Sequence, residues 1–192
     1  MTRRRYVMAT AIAASAFAAA FVAIAVADPF PRVIWNASAS APSGLYRIHP
    51  DRAPAIGVLV AVTPPKRLSR WLSARGYLPE GVPLLKHVAA KAGQRVCRIG
   101  AVVSVDSQSV ASARARDGRG RPLPVWRGCR TLQPGELLLL NPSVPDSLDG
   151  RYFGPLPASA VIGRATPLHL RAPSQSPSTP EAKEIGHADE YL

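Results

Sequence analysis

Apolar residues are distributed along this chain in two distinct ways. One is a single long uncharged run, Tyr6 to Ala27. As a helix rising about 1.5 Å per residue, such a run covers a hydrocarbon core of about 30 Å. Arg3, Arg4 and Arg5 precede it, and positive residues predict the side that stays cytoplasmic. The run is longer than the ~7–15 residues of a signal-peptide core, yet Ala25-Val26-Ala27 before Asp28 has the small-residue form of a cleavage site. A retained anchor and a cleaved signal both stay open, and either delivers the rest of the chain outside the inner membrane. The plain alternative is a helix buried in a soluble protein.

The other way is a series of short apolar runs separated by Pro and Gly. Gly57 to Val62 reads as a buried strand, stopped by Pro64-Pro65. Arg67 to Gly76 reads as a helix: Leu68, Trp71 and Leu72 recur at helical spacing, and Gly76 suits its C-terminal cap. Further strands are predicted at Leu84–Val88, Val96–Ile99, Ala101–Val105, Glu136–Leu140 and Val161–Ala165. The basic, Gly-rich stretch Ala113–Arg121 is predicted to be an exposed loop. Asp28 to Arg47 carries turn-formers and reads as a juxtamembrane segment. Many short strands with one short helix define a mainly β (α+β), largely antiparallel domain. The expected organisation is residues 1–27 as anchor or signal, 28–171 as the domain, and 172–192 as a disordered Pro/Ser linker with an acidic tail.

Composition narrows the partners. The 192 residues carry Lys+Arg 24 against Asp+Glu 12, a formal net charge of +12. Glu181, Glu184, Asp189 and Glu190 concentrate in the tail, so the body is more basic still. Such a surface attracts nucleic acid, anionic lipid or acidic protein. Nucleic acid is disfavoured, because the body lies outside the cytoplasm and lacks a Gly-rich phosphate loop. Anionic lipid headgroups fit better, with Trp71 and Leu72 as candidate interfacial residues; ordinary core packing is the alternative for both. Two cysteines exclude a four-cysteine zinc site. In an oxidising compartment Cys97 and Cys129 are candidates for a disulfide worth about 3–4 kcal/mol, with two buried thiols as the alternative. Nothing calls for a metal or cofactor.

Three clusters carry chemistry. Asn36 to Tyr46 is rich in Ser and Ala, which taken alone is a polar linker. Leu84-Leu85-Lys86-His87-Val88 puts a lysine inside an apolar strand. A buried lysine loses its charge easily and can act as a general base; with its ammonium at the strand edge it does neither. Asp146 to Pro157 contains Asp149 and Arg151, spaced to pair and brace a loop.

In order, an apolar N-terminal run, Ser40-Ala41-Pro42, Lys86 in an apolar strand, and Ser147-Leu148-Asp149-Gly150-Arg151-Tyr152-Phe153-Gly154-Pro155 resemble the type I signal peptidase superfamily. The run Ser40-Ala41-Pro42-Ser43-Gly44-Leu45-Tyr46 is most similar to its conjugative branch, the TraF transfer peptidases. The resemblance extends from about residue 3 to residue 168. It implies a signal-peptidase-like antiparallel β domain and a membrane-bound serine peptidase with a Ser/Lys dyad. Ser40 matches the nucleophile and Lys86 the general base. Ser38, with the N–H of Ser40, matches the oxyanion hole. Ser147 matches the serine that orients the lysine, and Asp149 with Arg151 the bracing ion pair. The chain departs from the family pattern at Gly57-Val58, Gly93-Gln94 and Asn141-Pro142-Ser143, where Gly-Asp, Gly-Asp and Gly-Asp-Asn are common. The implied substrate is an exported precursor, foremost a prepilin, cleaved after a small residue and then hydrolysed or cyclised. The inner membrane, with the domain in the periplasm, and other proteins of the conjugation apparatus are the implied surroundings.

Three readings compete with this one. A general type I signal peptidase shares the dyad. A non-enzymatic envelope assembly protein of a secretion channel has no need of both Ser40 and Lys86. A Ser-His-Asp triad lacks a histidine in place: His87 points away from Lys86 along the strand, and His49, His169 and His187 lie outside any nucleophile-elbow context.

Overall fold

The computed structural model describes residues 3–27, 32–51 and 53–171. The expected tail and the first juxtamembrane residues, 28–31, lie outside the described residues. The apolar run forms one helix, α1 (Arg3–Ala27), with no buried residue. Its length and mean hydropathy of 2.2 suffice to cross a bilayer.

Among the described residues, eleven strands follow: β1 (Val33–Asn36), β2 (Gly44–His49), β3 (Leu59–Val62), β4 (Leu84–Ala90), β5 (Arg95–Ile99), β6 (Val102–Val105), β7 (Gln108–Ser112), β8 (Gly128–Thr131), β9 (Glu136–Leu140), β10 (Leu156–Pro157) and β11 (Val161–Leu170). Two short helices join them, α2 (Lys66–Ala74) and α3 (Gly150–Phe153). Every pairing is antiparallel. A seven-stranded sheet has the order β1-β2-β11-β3-β4-β9-β10, and a four-stranded sheet the order β7-β6-β5-β8.

The mainly β, antiparallel class agrees with expectation, and the structure corrects several details. The segment read as a juxtamembrane linker forms the hairpin β1–β2, with Asn36 opposite Gly44. Its Ser, Ala and Pro residues occupy the connecting loop 37–43, and short runs on either side pair. A second short helix, α3, exists beside the expected one. Leu72 is buried and Trp71 packs against Tyr77 and Phe153, so core packing, not a lipid interface, accounts for this pair. Ala113 is buried as well, although the loop after it is largely exposed.

Strand β9 explains why the core is continuous. Leu137 and Leu139 pack with Val60, Val62 and Val88, while Leu138 and Leu140 pack with Val96, Val103 and Leu132. A strand covered on both faces needs an unbroken apolar run, which is what Glu136–Leu140 supplies. Strand β4 is covered the same way, with Leu85, Lys86, Val88 and Ala90 all buried. Cys97 and Cys129 are register partners on β5 and β8 and form a disulfide, with S–S 2.04 Å.

Candidate active site

The loop between β1 and β2 is shaped by an asparagine. Asn36 Oδ1 accepts from the backbone N–H of Ser38 (3.1 Å) and from its hydroxyl (2.8 Å), an Asx-type turn. Asn36 Nδ2 donates to the carbonyls of Ser38, Ala41 and Pro42 at 3.0–3.1 Å. Tyr46 donates its hydroxyl to Pro42 O at 2.7 Å. Gly44, at φ +151°, closes the loop where a Cβ would lie 2.2 Å from His169 O. No L-side chain fits there. The result presents Ser38 and Ser40 half-buried, with their hydroxyls 3.1 Å apart.

Lys86 rises from the middle of β4 into the protein and is 2% exposed. Its Nζ donates to Ser147 Oγ at 2.8 Å. Burial lowers its pKa from an ordinary 10.5 to about 8, with the Asp149 carboxylate raising it and the Arg151 guanidinium lowering it by smaller amounts. Ser40 and Lys86 line the same groove of about 370 Å³, whose wall includes Ile34, Leu72, Tyr77 and Leu84. In the resting arrangement Ser40 pairs with Ser38, and Lys86 pairs with Ser147.

The loop after β9 holds Ser147. Asp149 caps α3 and receives Arg151 Nε at 2.8 Å and Nη2 at 3.0 Å. Arg151, 1% exposed, also donates to the carbonyls of Ser112, Pro145 and Asn141. A buried ion pair holds only when its remaining donors and acceptors are satisfied, and here they are. Gly150 is required at the start of α3, because a Cβ would meet Leu138 and Leu139 of β9 at 2.8 Å.

Three contributors escaped the sequence. Asn36 could have been found from its two-residue spacing to Ser38. Arg98, 3% exposed, donates to Arg151 O at 2.6 Å and so ties the small sheet to α3. Nothing in its alternating strand marks it as buried beside Cys97. Asn141, 1% exposed, donates its Nδ2 to Ser40 O and to Leu85 O (3.0 Å). Its Oδ1 accepts from His87 N (3.3 Å) and faces His87 Nδ1 (3.0 Å). Among the described residues, no group of three or more His, Cys, Asp or Glu side chains gathers to hold a metal ion.

Residues 3–169 match the family described as "Signal peptidase, peptidase S26". The chain is 40% identical over 148 residues to a "Probable conjugal transfer protein TraF" of Sinorhizobium fredii, covering 72% of this chain and 77% of that protein. It is 36% identical over 176 residues to the conjugal transfer protein TraF of Agrobacterium tumefaciens, covering 86% and 97%. Among solved structures it is similar to a signal peptidase I of Enterococcus faecalis, at 17% identity and a TM-score of 0.36, covering 59% of this chain and 97% of that one. The chain belongs to the signal peptidase family, peptidase S26, in its TraF branch. A signal-peptidase-like function, serine peptidase chemistry and association with a membrane come with that membership and with α1.

Proposed function

We propose that this chain is a membrane-anchored serine endopeptidase that uses a Ser40/Lys86 dyad to process an exported precursor, foremost a conjugative prepilin. The observation that carries the dyad is Lys86: buried, lowered to about 8, and held by Ser147 in the groove that also exposes Ser40. At pH 7 about a tenth of such a lysine is neutral, against well under a thousandth of a free one. Neutral Lys86 takes the proton of Ser40 Oγ, and Ser40 attacks the scissile carbonyl to form an acyl-enzyme. For this, Ser40 exchanges its resting partner Ser38 for Lys86. Released from Ser40, the Ser38 hydroxyl turns from Asn36 toward the oxyanion beside the Ser40 N–H. Water, or an amine of the substrate, then resolves the acyl-enzyme; the amine gives a cyclic product.

The prepilin reading is supported by the conjugal transfer names of the relatives. On this reading α1 is the anchor, Arg3, Arg4 and Arg5 stay cytoplasmic, and the β domain works in the periplasm. The test is co-expression of wild type, Ser40→Ala and Lys86→Ala with a pilin precursor and with an unrelated preprotein, read by intact mass. Loss of processing in both variants at normal membrane levels supports the dyad. A product lighter by one water marks cyclisation. Equal cleavage of both precursors would replace the specialised reading with a general signal peptidase. Unchanged processing in either variant would leave a non-enzymatic assembly role.

A further inference from the structure

Asn141 bonds, through one side chain, to the segments that carry both members of the proposed dyad. It is the first residue after β9, and its carboxamide is fully used. One N–H goes to the carbonyl of Ser40. The other goes to the carbonyl of Leu85, the residue before Lys86. The oxygen receives the backbone N–H of His87, the residue after Lys86, and His87 Nδ1 lies against it at 3.0 Å. The amide therefore brackets Lys86 on both sides of its Cα while gripping the peptide of Ser40. Its orientation is fixed, since a flipped amide would set oxygen against two carbonyls. Its own backbone joins the third segment: Asn141 N donates to Asp149 Oδ2 at 2.9 Å, and Asn141 O accepts from Arg151 Nη2 at 2.8 Å.

We infer that Asn141 is the positioning residue that sets the approach of Ser40 to Lys86, with His87 holding its amide. This rests on the dyad reading above. The loop bearing Ser40 is braced from within by Asn36, but Asn36 makes its side-chain bonds only to that loop. The side-chain bond from Asn141 crosses from the loop to the strand bearing the lysine. Without it, the carbonyls of Ser40 and Leu85 lose their shared donor and the two segments lose their link.

The test measures kcat, KM and melting temperature of the purified full chain in detergent micelles. The substrates are a pilin precursor and an unrelated Ala-x-Ala preprotein, and the variants are Ser40→Ala, Asn141→Ala and His87→Phe. A misplacement of about 1 Å between reacting groups costs about 100-fold. Asn141→Ala is therefore expected to lower kcat about 100-fold per folded molecule with KM little changed. His87→Phe removes one hydrogen bond from the amide and is expected to lower kcat about threefold to tenfold. A merely structural asparagine would lower melting temperature and leave kcat per folded molecule intact, and that result in Asn141→Ala overturns the inference. Should Asn141→Ala fail to fold, wild-type kcat in His87→Phe overturns it instead. A dead Ser40→Ala beside a fully active Asn141→Ala removes this inference alone. Activity in Ser40→Ala, or no cleavage of either precursor by wild type, removes the dyad and this inference together.

Discussion

In the seven-stranded sheet, neighbours come from far apart in the chain: β11 lies between β2 and β3. In the four-stranded sheet, β5, β6 and β7 follow one another as hairpins, and only β8 returns from a distance. The first sheet and its connecting loops gather Ser40, Lys86 and Asn141 from separate parts of the chain, and bury polar groups around them with full hydrogen bonding. The second is mostly local, its edge strand β8 is exposed at every residue, and a disulfide fastens that edge. The difference teaches where each kind of stability is needed. A site assembled from distant residues demands a sheet of long-range pairings, with the high closure entropy that implies. The local sheet reaches α3 through Arg98, whose guanidinium holds the carbonyl of Arg151, and through the Ser112 carbonyl of β7, which accepts from the Arg151 guanidinium.

The comparison breaks most severely at the buried ion pair. Asp149→Ala strands a guanidinium that is 1% exposed and is expected to cost about 3–5 kcal/mol by chemical denaturation. Replacing Cys97 and Cys129 together by serine opens a loop of sequence separation 32 and is expected to cost about 3–4 kcal/mol. Hydrogen exchange should then rise in β8 first, with precursor cleavage retained. Loss of cleavage would show that the two sheets are not separable.

Lys86 comes next. Its folded pKa of about 8 lies below the unfolded 10.5, so between these values the unfolded chain binds more protons. Stability therefore rises with pH across that window, and below it the buried charge costs about 3 kcal/mol. Lys86→Met should abolish cleavage yet raise stability at pH 7, with the gain shrinking as pH approaches 10.5. A variant less stable than wild type at pH 7 would contradict the cost assigned to the buried charge. Cleavage by wild type should rise about tenfold per pH unit below 8 and level above it. The smallest effect belongs to the exposed bidentate pair of Arg130 and Glu136. Arg130→Gln should cost less than about 1 kcal/mol, and 1 M salt should remove most of it.

Legibility followed the chemistry of each residue. An uninterrupted run such as Glu136–Leu140 announces a strand with two covered faces, and the lysine within Leu84–Val88 stands out by its cost of burial. The hairpin β1–β2 was hidden because seven small or turn-forming residues separate two short apolar runs. Strands β7 and β8 were hidden because Gln108–Ser112 and Gly128–Thr131 bury no residue fully. Helix α3 is four residues long, too short for a period to declare itself. At Asn141-Pro142-Ser143 the departure from the family pattern was visible, but an asparagine after a strand reads as a turn. Its four hydrogen bonds exist only after β4, β9 and the serine loop have met.

Helix α1 ends at Ala27 and β1 begins at Val33. At about 3.5 Å per residue, that connection spans at most about 20 Å. With α1 in the bilayer as proposed, the enzyme is on a short leash. Its groove samples a shell only a few nanometres deep above the lipid, so bonds carried far from the surface are out of range whatever their sequence. A precursor held by its own apolar segment shares that shell and meets the groove at a high effective concentration. Selectivity then begins with altitude, before any side chain of the substrate is read.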